Sequence, residues 1–257
     1  MIEVLQTSVR KTAPPAVAAA EAAKTRLAAE LGDASGAFYV PRIIRFDEPA
    51  GVIEFERLAG LKSLVELATD GRSETGDLFR RTGRALAVIH ERLVLPEALK
   101  IPLPAEWMDR EPPVFLHGDF TVANVCLQEP TGRLVILDWS TAPLLGRMAT
   151  FGPAYFDLSW LTSSLSSYVA YAAAPWRKTV PCDEMADAFL EAYLAARTRE
   201  LDRAWFDECR HMAWRVYWNG HREPIKTRPW YAQPVWWLRE WRAYRRIMAY
   251  EPLGTGR

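Results

Sequence analysis

The chain has 257 residues, 49% hydrophobic and 25% charged, which sets aside disordered and fibrous classes and is enough to bury a sizeable core. Lysine plus arginine and aspartate plus glutamate both total 32, so no global field selects nucleic acid or a membrane surface. Three scattered cysteines, Cys126, Cys182 and Cys209, fit neither a disulfide framework nor a CxxC metal site, and no leader or membrane-length apolar run is read, so a cytoplasmic protein without membrane insertion is expected.

From the N-terminus, Ile2 to Thr12 reads as strand and the Ala-rich stretch from about Ala16 to Leu31 as helix. Tyr39 to Phe46 and Val52 to Glu56 alternate around a turn at Asp47 to Gly51, which predicts a hairpin. Ser63 to Thr69 and Gly76 to Glu91 have helical spacing, the second with Leu78, Ala85, Leu86 and Ile89 on related faces. Pro96 to Pro113 is proline-rich and expected to be irregular. The short apolar run Val114 to Leu116 then leads into a tight loop at His117-Gly118-Asp119. After a turn at Glu129 to Gly132, the apolar strand Leu134 to Leu137 ends on Asp138. The remainder is mainly helical.

The segment FLHGDFTVANVCLQEPTGRLVILDWS, Phe115 to Ser140, carries the chemistry. Phosphoryl transfer asks a protein to hold reacting oxygens in line and to neutralise spreading charge. Magnesium prefers oxygen ligands, so the carboxylate of Asp138 and the carbonyl of Asn124 suit it, with nucleotide phosphates and water completing the shell. A carboxylate off the metal, Asp119, is placed to orient an attacking hydroxyl and take its proton. Taken singly, each of the three is an ordinary turn residue. The joint pattern of spacing, strand-turn-strand context and an apolar run ending on Asp points to a kinase-like site.

At these residues the chain resembles the aminoglycoside phosphotransferase and choline kinase family, the small-molecule branch of the protein-kinase-like fold. GVIEFERLAG, Gly51 to Gly60, resembles the strand leading into the hinge between lobes. Leu78 to His90, ending ALAVIH, resembles the helix that follows, and AFLEAY, Ala188 to Tyr193, a later helix. In GPAYFDLSWL, Gly152 to Leu161, Asp157 resembles the residue that braces the catalytic loop. The likeness spans roughly residues 10 to 195. It implies an α+β, bilobal fold with a reduced N-terminal β-rich lobe, residues 1–58, and a mainly helical C-terminal lobe, residues 59–257.

The resemblance also implies roles. Lys11 is similar to the lysine that contacts nucleotide phosphates and Glu21 to its ion-pair partner, with Lys24 as the alternative lysine. Read from the residues alone, Lys11 is equally a solvated terminal lysine, and Glu21 a helix-surface charge beside Lys24 and Arg26. Glu56, Arg57 and Leu58 would form the hinge that meets the nucleotide base, and His117 would shape the catalytic loop. Gly118 stands where protein kinases usually carry arginine, which favours a small-molecule acceptor. No glycine-rich loop precedes Lys11, so a pseudokinase that binds without turnover is the alternative.

Eight of the eleven tryptophans fall between Trp176 and Trp241. Trp237, Trp241, Tyr244 and Met248 recur at helical spacing, which predicts a core face. Trp230, Tyr231 and Trp236 are candidates for an acceptor pocket, Asp183, Glu184, Asp187 and Glu191 for a cationic acceptor, and Arg239, Arg242, Arg245 and Arg246 for an acidic partner. Cys126 reads as a buried small hydrophobe and His90 as a packing residue, while His211 and His221 carry no expected role. The reading is a kinase using ATP or GTP with Mg2+ and passing the terminal phosphoryl group to a hydroxyl of a small molecule, without nucleic-acid partners.

Overall fold

The computed structural model describes residues 1–71, 74–108, 110–140, 149–172 and 180–254, with side chains at all of these positions but 169–172 and 220–223. Near the N-terminus lie β1 (Ile2–Val4), β2 (Ser8–Thr12), α1 (Pro15–Ser35), β3 (Ile43–Asp47) and β4 (Val52–Glu56). They form an antiparallel sheet of order β1-β2-β4-β3 with α1 packed on it. The strand expected over Ile2 to Thr12 is in fact a hairpin. The chain reverses at Leu5 to Thr7, where the Leu5 N–H donates to the Ser8 carbonyl at 2.8 Å, and Ile2 comes opposite Lys11.

The strand expected from Tyr39 joins the sheet only at Ile43. Pro41 has no N–H for a ladder. Tyr39 instead bridges to the other lobe, its N–H donating to Leu134 O at 2.8 Å and its carbonyl accepting from the Ile136 N–H at 2.9 Å. Helix α1 also spans both lobes. It opens on Pro15, where a missing N–H costs nothing, and ends at Gly36 in the left-handed conformation. Ala18 and Ala22 pack with Ile53 under the sheet, whereas Ala28, Ala29 and Leu31 join the large core. Residues 21, 24 and 25 therefore sit between the two cores.

The larger lobe contains β5 (Leu61–Ser63), α2 (Leu64–Asp70), α3 (Thr75–Arg92), β6 (Val114–Phe115), β7 (Val125–Gln128), β8 (Arg133–Ile136) and β9 (Phe151–Gly152). Helices α4 (Tyr155–Ala172), α5 (Cys182–Arg197), α6 (Arg203–Lys226) and α7 (Gln233–Ala249) follow. Strands β5-β7-β8 form one small sheet and β6 pairs with β9. Ser63 caps α2 through a reciprocal pairing with Glu66. The proline-rich stretch before β6 makes only two short 3-10 turns. Leu78, Ala85, Leu86 and Ile89 are all buried, as their spacing predicts. Helix α3 meets α5 so closely that a Cβ on Gly83 would lie 2.3 Å from the Phe189 carbonyl oxygen. Phe79, Phe120, Phe156 and Phe189 are fully buried in the larger core, each burial contributing about 1.5–3 kcal/mol.

On α7 the buried face is Glu240, Ala243 and Ile247, rather than the expected Trp237, Trp241, Tyr244 and Met248. Trp241 is 55% exposed. Trp237 and Tyr244 flank the contact with α6, 5.1 Å from Trp218 and 5.3 Å from Trp214 between ring centroids. Adjacent helical stripes share the same spacing, so period alone does not say which one faces inward. Among the described residues no helix is long and apolar enough to cross a membrane.

Candidate active site

Strand β6 runs into a loop that is held on all sides. Asp157, on the first turn of α4, is fully buried and accepts the His117 N–H at 2.8 Å and the Gly118 N–H at 3.0 Å. His90 Nε2 lies 3.0 Å from the same carboxylate, and its Nδ1 lies 2.9 Å from the Tyr193 hydroxyl. Burial alone would push the Asp157 carboxyl up, but the His90 hydrogen bond and charge, with His117 and the loop amide, hold it below the ordinary range. His90 is therefore more than packing, since it ties α3 to this carboxylate.

Gly118 adopts φ +89°, and a Cβ there would lie 2.9 Å from the Ala149 carbonyl oxygen, so the turn calls for glycine. The His117 ring accepts the Asp119 N–H at Nδ1, 3.2 Å away, and faces the Leu137 carbonyl with Nε2 at 3.0 Å. That pattern requires the neutral ring. Burial, then the Lys24 charge, lowers the His117 pKa to about 4.

One face of α4 serves this loop repeatedly. Three residues beyond Asp157, the Trp160 indole donates to Asp119 Oδ1 at 2.9 Å. Four further on, Ser164 Oγ accepts the Val122 N–H at 3.1 Å. The other Asp119 oxygen accepts from the Asn124 amide at 2.8 Å, and the same amide reaches the Asp119 carbonyl oxygen at 2.9 Å. Burial raises the Asp119 pKa despite these donors. Trp160 was not singled out by sequence, although its spacing of three from Asp157 puts both on one helical face.

The β7–β8 register places Asn124 beside Leu137, whose N–H donates to the Asn124 carbonyl at 2.8 Å, and so brings Asp138 next to it. Asp138 has φ +52°, an uncommon conformation for a residue with a side chain. Lys11 Nζ reaches both Glu21 Oε1 and Asp138 Oδ1 at 2.8 Å, and Ser140 also donates to Asp138. The lysine is thus not merely solvated, and Glu21, 1% exposed, is not a helix-surface charge. Burial works against the Lys11 ammonium, yet Asp138 and then Glu21 outweigh it and its pKa is raised. For Asp138, burial pushes up and Lys11 pulls down further, leaving the carboxyl below its ordinary value. For Glu21 burial prevails over Lys11 and the pKa rises.

These groups border a cavity of about 380 Å³ between the lobes, lined by Lys11, Glu21, Asn124 and Asp138 on its polar side. Ile2, Val4 and Val9 of the first hairpin, with Val40, Phe55 and Leu137, supply apolar walls. The expected hinge residues Glu56, Arg57 and Leu58 also line it. Glu56 Oε1 accepts from Tyr39 Oη at 2.5 Å and the Arg42 N–H at 2.7 Å. The Arg57 guanidinium donates to Leu5 O and Gln6 O, securing the hairpin turn. Asp138 and Asn124 offer carboxylate and amide oxygens, a donor set that fits Mg2+. The Asn124 amide nitrogen is engaged by Asp119, which leaves the carbonyl end as the one that could meet such a cation.

A second cavity, about 70 Å³, has Asp119 in its wall. It is lined by Thr121, Trp160, Ser163, Ser164, Ser167, Tyr168, Ala213, Trp214, Tyr217 and Ile247. The aromatics expected at an acceptor pocket, Trp230, Tyr231 and Trp236, do not line it, and Trp230 is 82% exposed. Trp214 and Tyr217 of α6, three residues apart, line it. The carboxylates of Asp183, Glu184, Asp187 and Glu191 are also absent from its lining. Asp187 instead accepts from the Tyr250 hydroxyl at 2.6 Å and the Leu253 N–H at 2.8 Å, fastening the C-terminal segment.

The expected arginine patch divides. Arg246 reaches back to Val180 O at 3.5 Å, while Arg239 and Arg245 lie over Trp236 and Trp241. Cys126 is buried, which pushes its thiol up to about 12. His211 is exposed on α6. Trp176 and the His221 side chain lie outside what the structure describes.

Residues 91–205 match the model of the phosphotransferase enzyme family, APH. The chain is similar in structure to a choline/ethanolamine kinase family protein from Mesorhizobium loti, at TM-score 0.58 and 16% identity over 96% of this chain and 84% of that one. A glucosamine kinase in complex with glucosamine, ADP and inorganic phosphate gives TM-score 0.59 and 18% identity over 93% and 75%. The choline kinase of Streptococcus pneumoniae gives 0.56 and 14% over 96% and 88%. No curated protein sequence matches significantly. The protein has the protein-kinase-like fold of the small-molecule kinases, and its resemblance to the aminoglycoside phosphotransferase and choline kinase family stands.

Proposed function

We propose that this protein transfers the terminal phosphoryl group of ATP or GTP to a hydroxyl of a small molecule, with Asp119 as base and Asn124 and Asp138 holding Mg2+. In this reading residues 1–58 are the nucleotide lobe and residues 59–257 the catalytic and acceptor lobe. The observation that carries it is that Asp119 lines the smaller cavity and its carboxylate bonds to Asn124, which lines the larger one. Lys11 and Asp138 also line the larger cavity, and Trp160, Tyr168, Trp214 and Tyr217 wall the smaller. The match of residues 91–205 to the phosphotransferase family supports the same chemistry.

The nucleotide enters the larger cavity with its base against Glu56 to Leu58 and its phosphates toward Lys11. Two of the three Lys11 donors are taken by Glu21 and Asp138, which leaves the third for a phosphate oxygen. Bound Mg2+ would neutralise charge developing on the phosphates. The acceptor hydroxyl lies against Asp119, whose two oxygens are fixed by Trp160 and Asn124. Its proton passes to the Asp119 carboxylate as its oxygen bonds the terminal phosphorus, and the bond from phosphorus to the nucleoside diphosphate breaks. Burial raises the pKa of Asp119 and so makes it a better proton acceptor than an exposed aspartate.

Calorimetric titration with ATP and GTP, with and without magnesium, tests the nucleotide site. Binding should require magnesium and weaken at least tenfold in Asp138→Ala, whereas Asp119→Asn should bind as the wild type does and lose turnover. The turn Leu5-Gln6-Thr7 has no glycine, and this favours the second reading, binding without turnover. That reading holds if magnesium-dependent nucleotide binding is tight and no phosphate leaves the nucleotide with any hydroxyl acceptor.

A further inference from the structure

Lys24 occupies a place in the site that neither the spacing nor the resemblance foresees. It lies three residues beyond Glu21 on α1, is 1% exposed, and its Nζ donates to the His117 carbonyl oxygen at 2.5 Å. A Cβ on Gly118 would come 3.8 Å from that Nζ, so the ammonium lies directly beneath the loop. The Trp139 ring is 5.9 Å away. The peptide joining His117 to Gly118 is thereby gripped at both ends. Its oxygen accepts from Lys24, while its N–H and the preceding one donate to Asp157. The next residue in the chain is Asp119.

Burying an ammonium is costly, and a well-packed apolar side chain is often no worse for stability. Retaining lysine there needs a reason other than packing. Charge supplies one, because Asp157, Glu21, Asp138 and Asp119 surround this position. Lys11, the other cation, is partly exposed and committed to Glu21 and Asp138 at the edge of the nucleotide cavity. Burial lowers the pKa of Lys24 to about 8, which leaves it largely protonated at neutral pH.

We infer that Lys24 is a positioning residue: from helix α1 it holds the His117–Gly118 peptide so that Asp119 faces the acceptor. This rests on the reading of Asp119 as base. It also couples the lobes, because α1 packs under the N-terminal sheet and this side chain reaches the catalytic loop. A displacement of α1 then alters the base directly as well as the Lys11–Glu21 pair.

His117-Gly118 is the only His-Gly dipeptide in the chain. Labelling histidine carbonyl carbons with 13C and glycine nitrogens with 15N therefore gives a single carbonyl-to-amide cross-peak from this peptide. Lys24→Met should shift that peak, and Lys24→Arg should return it toward the wild-type position. Magnesium-dependent release of phosphate from ATP or GTP, with water as acceptor, supplies the kinetic readout. In Lys24→Met, kcat should fall at least tenfold with nucleotide KM within about twofold, and Lys24→Arg should recover part of the loss. A packing role alone would change thermal stability without that split. Lys24→Gln, which keeps a donor without charge, replaces Lys24→Met if the latter does not fold. An unmoved cross-peak, or a moved one with unchanged kcat, overturns the inference. If wild type and Asp119→Asn release phosphate equally, the kinase reading fails instead, and the cross-peak alone decides whether Lys24 grips the loop.

Discussion

Replacing His117 by Asn should flatten the acid limb of the stability curve. The ring is fully buried between Phe120 and Trp139, with Lys24, Asp157 and Asp138 as its charged neighbours. Its pKa falls from 6.5 to about 4. The unfolded chain therefore takes up this proton near pH 6.5, while the folded chain does not until about pH 4. Between those values the unfolded state binds more protons, so stability declines as pH falls. The contribution is absent above pH 6.5 and complete below pH 4. The span of the shift corresponds to about 3 kcal/mol, most of it lost by pH 4.5. Urea unfolding from pH 7.5 to 4.5 measures the effect. The wild type should lose about 2–3 kcal/mol more than His117→Asn across that range, after allowing for the lower stability of the variant at pH 7.5. Parallel curves would mean that the buried ring accepts a proton in place, and the neutral pattern of Asp119 N–H to Nδ1 and Nε2 to Leu137 would be wrong.

Two further tests address the frame of the site. Asp157→Ala leaves the His117 and Gly118 amides and the His90 ring without their buried acceptor, and should cost about 3–5 kcal/mol in urea unfolding at pH 7. A loss below 1 kcal/mol would show that the loop does not depend on this carboxylate. Trp214→Ala removes a wall of the smaller cavity and none of the larger. Magnesium-dependent nucleotide affinity by calorimetry should stay within about twofold, and a tenfold loss would show that the two cavities do not divide nucleotide from acceptor.

How much of this was legible in the sequence depended on how local each signal was. Asp119, Asn124 and Asp138 lie on one short stretch whose hairpin register brings them together, so spacing sufficed to group them. The pairing of Lys11 with Glu21 followed from resemblance, and its extension to Asp138 required the fold. The Leu5 to Thr7 reversal was missed because its residues lack the glycine and asparagine that mark tight turns. Trp160 and Ser164 are not legible because α4 is buried on most faces with hydroxyl residues scattered round it, and a polar or aromatic stripe on such a helix gains meaning only from the loop it meets. The aromatic stripe of α7 was assigned to the core, where the smaller Ala243 and Ile247 in fact lie. Nothing in a heptad-like pattern distinguishes a contact's centre from its flank.

The site's carboxylates differ in burial in a way that separates what must stay from what must adapt. Asp157 is wholly enclosed and its oxygens are occupied by the loop amides and His90, so it cannot reorient without leaving buried donors unpaired. Asp138 is one-third exposed, has a left-handed backbone conformation, and bonds to the side chains of Lys11 and Ser140. A carboxylate of the first kind fixes the direction of Asp119, and one of the second kind can exchange its partners when phosphates and a cation arrive. Asp119 lies between these extremes, oriented by Trp160 and Asn124 and open to the smaller cavity. In the proposed reaction, rigidity at Asp119 and compliance at Asp138 would both serve in-line transfer, because the acceptor oxygen would have one productive approach while a metal's shell would reform at each turnover.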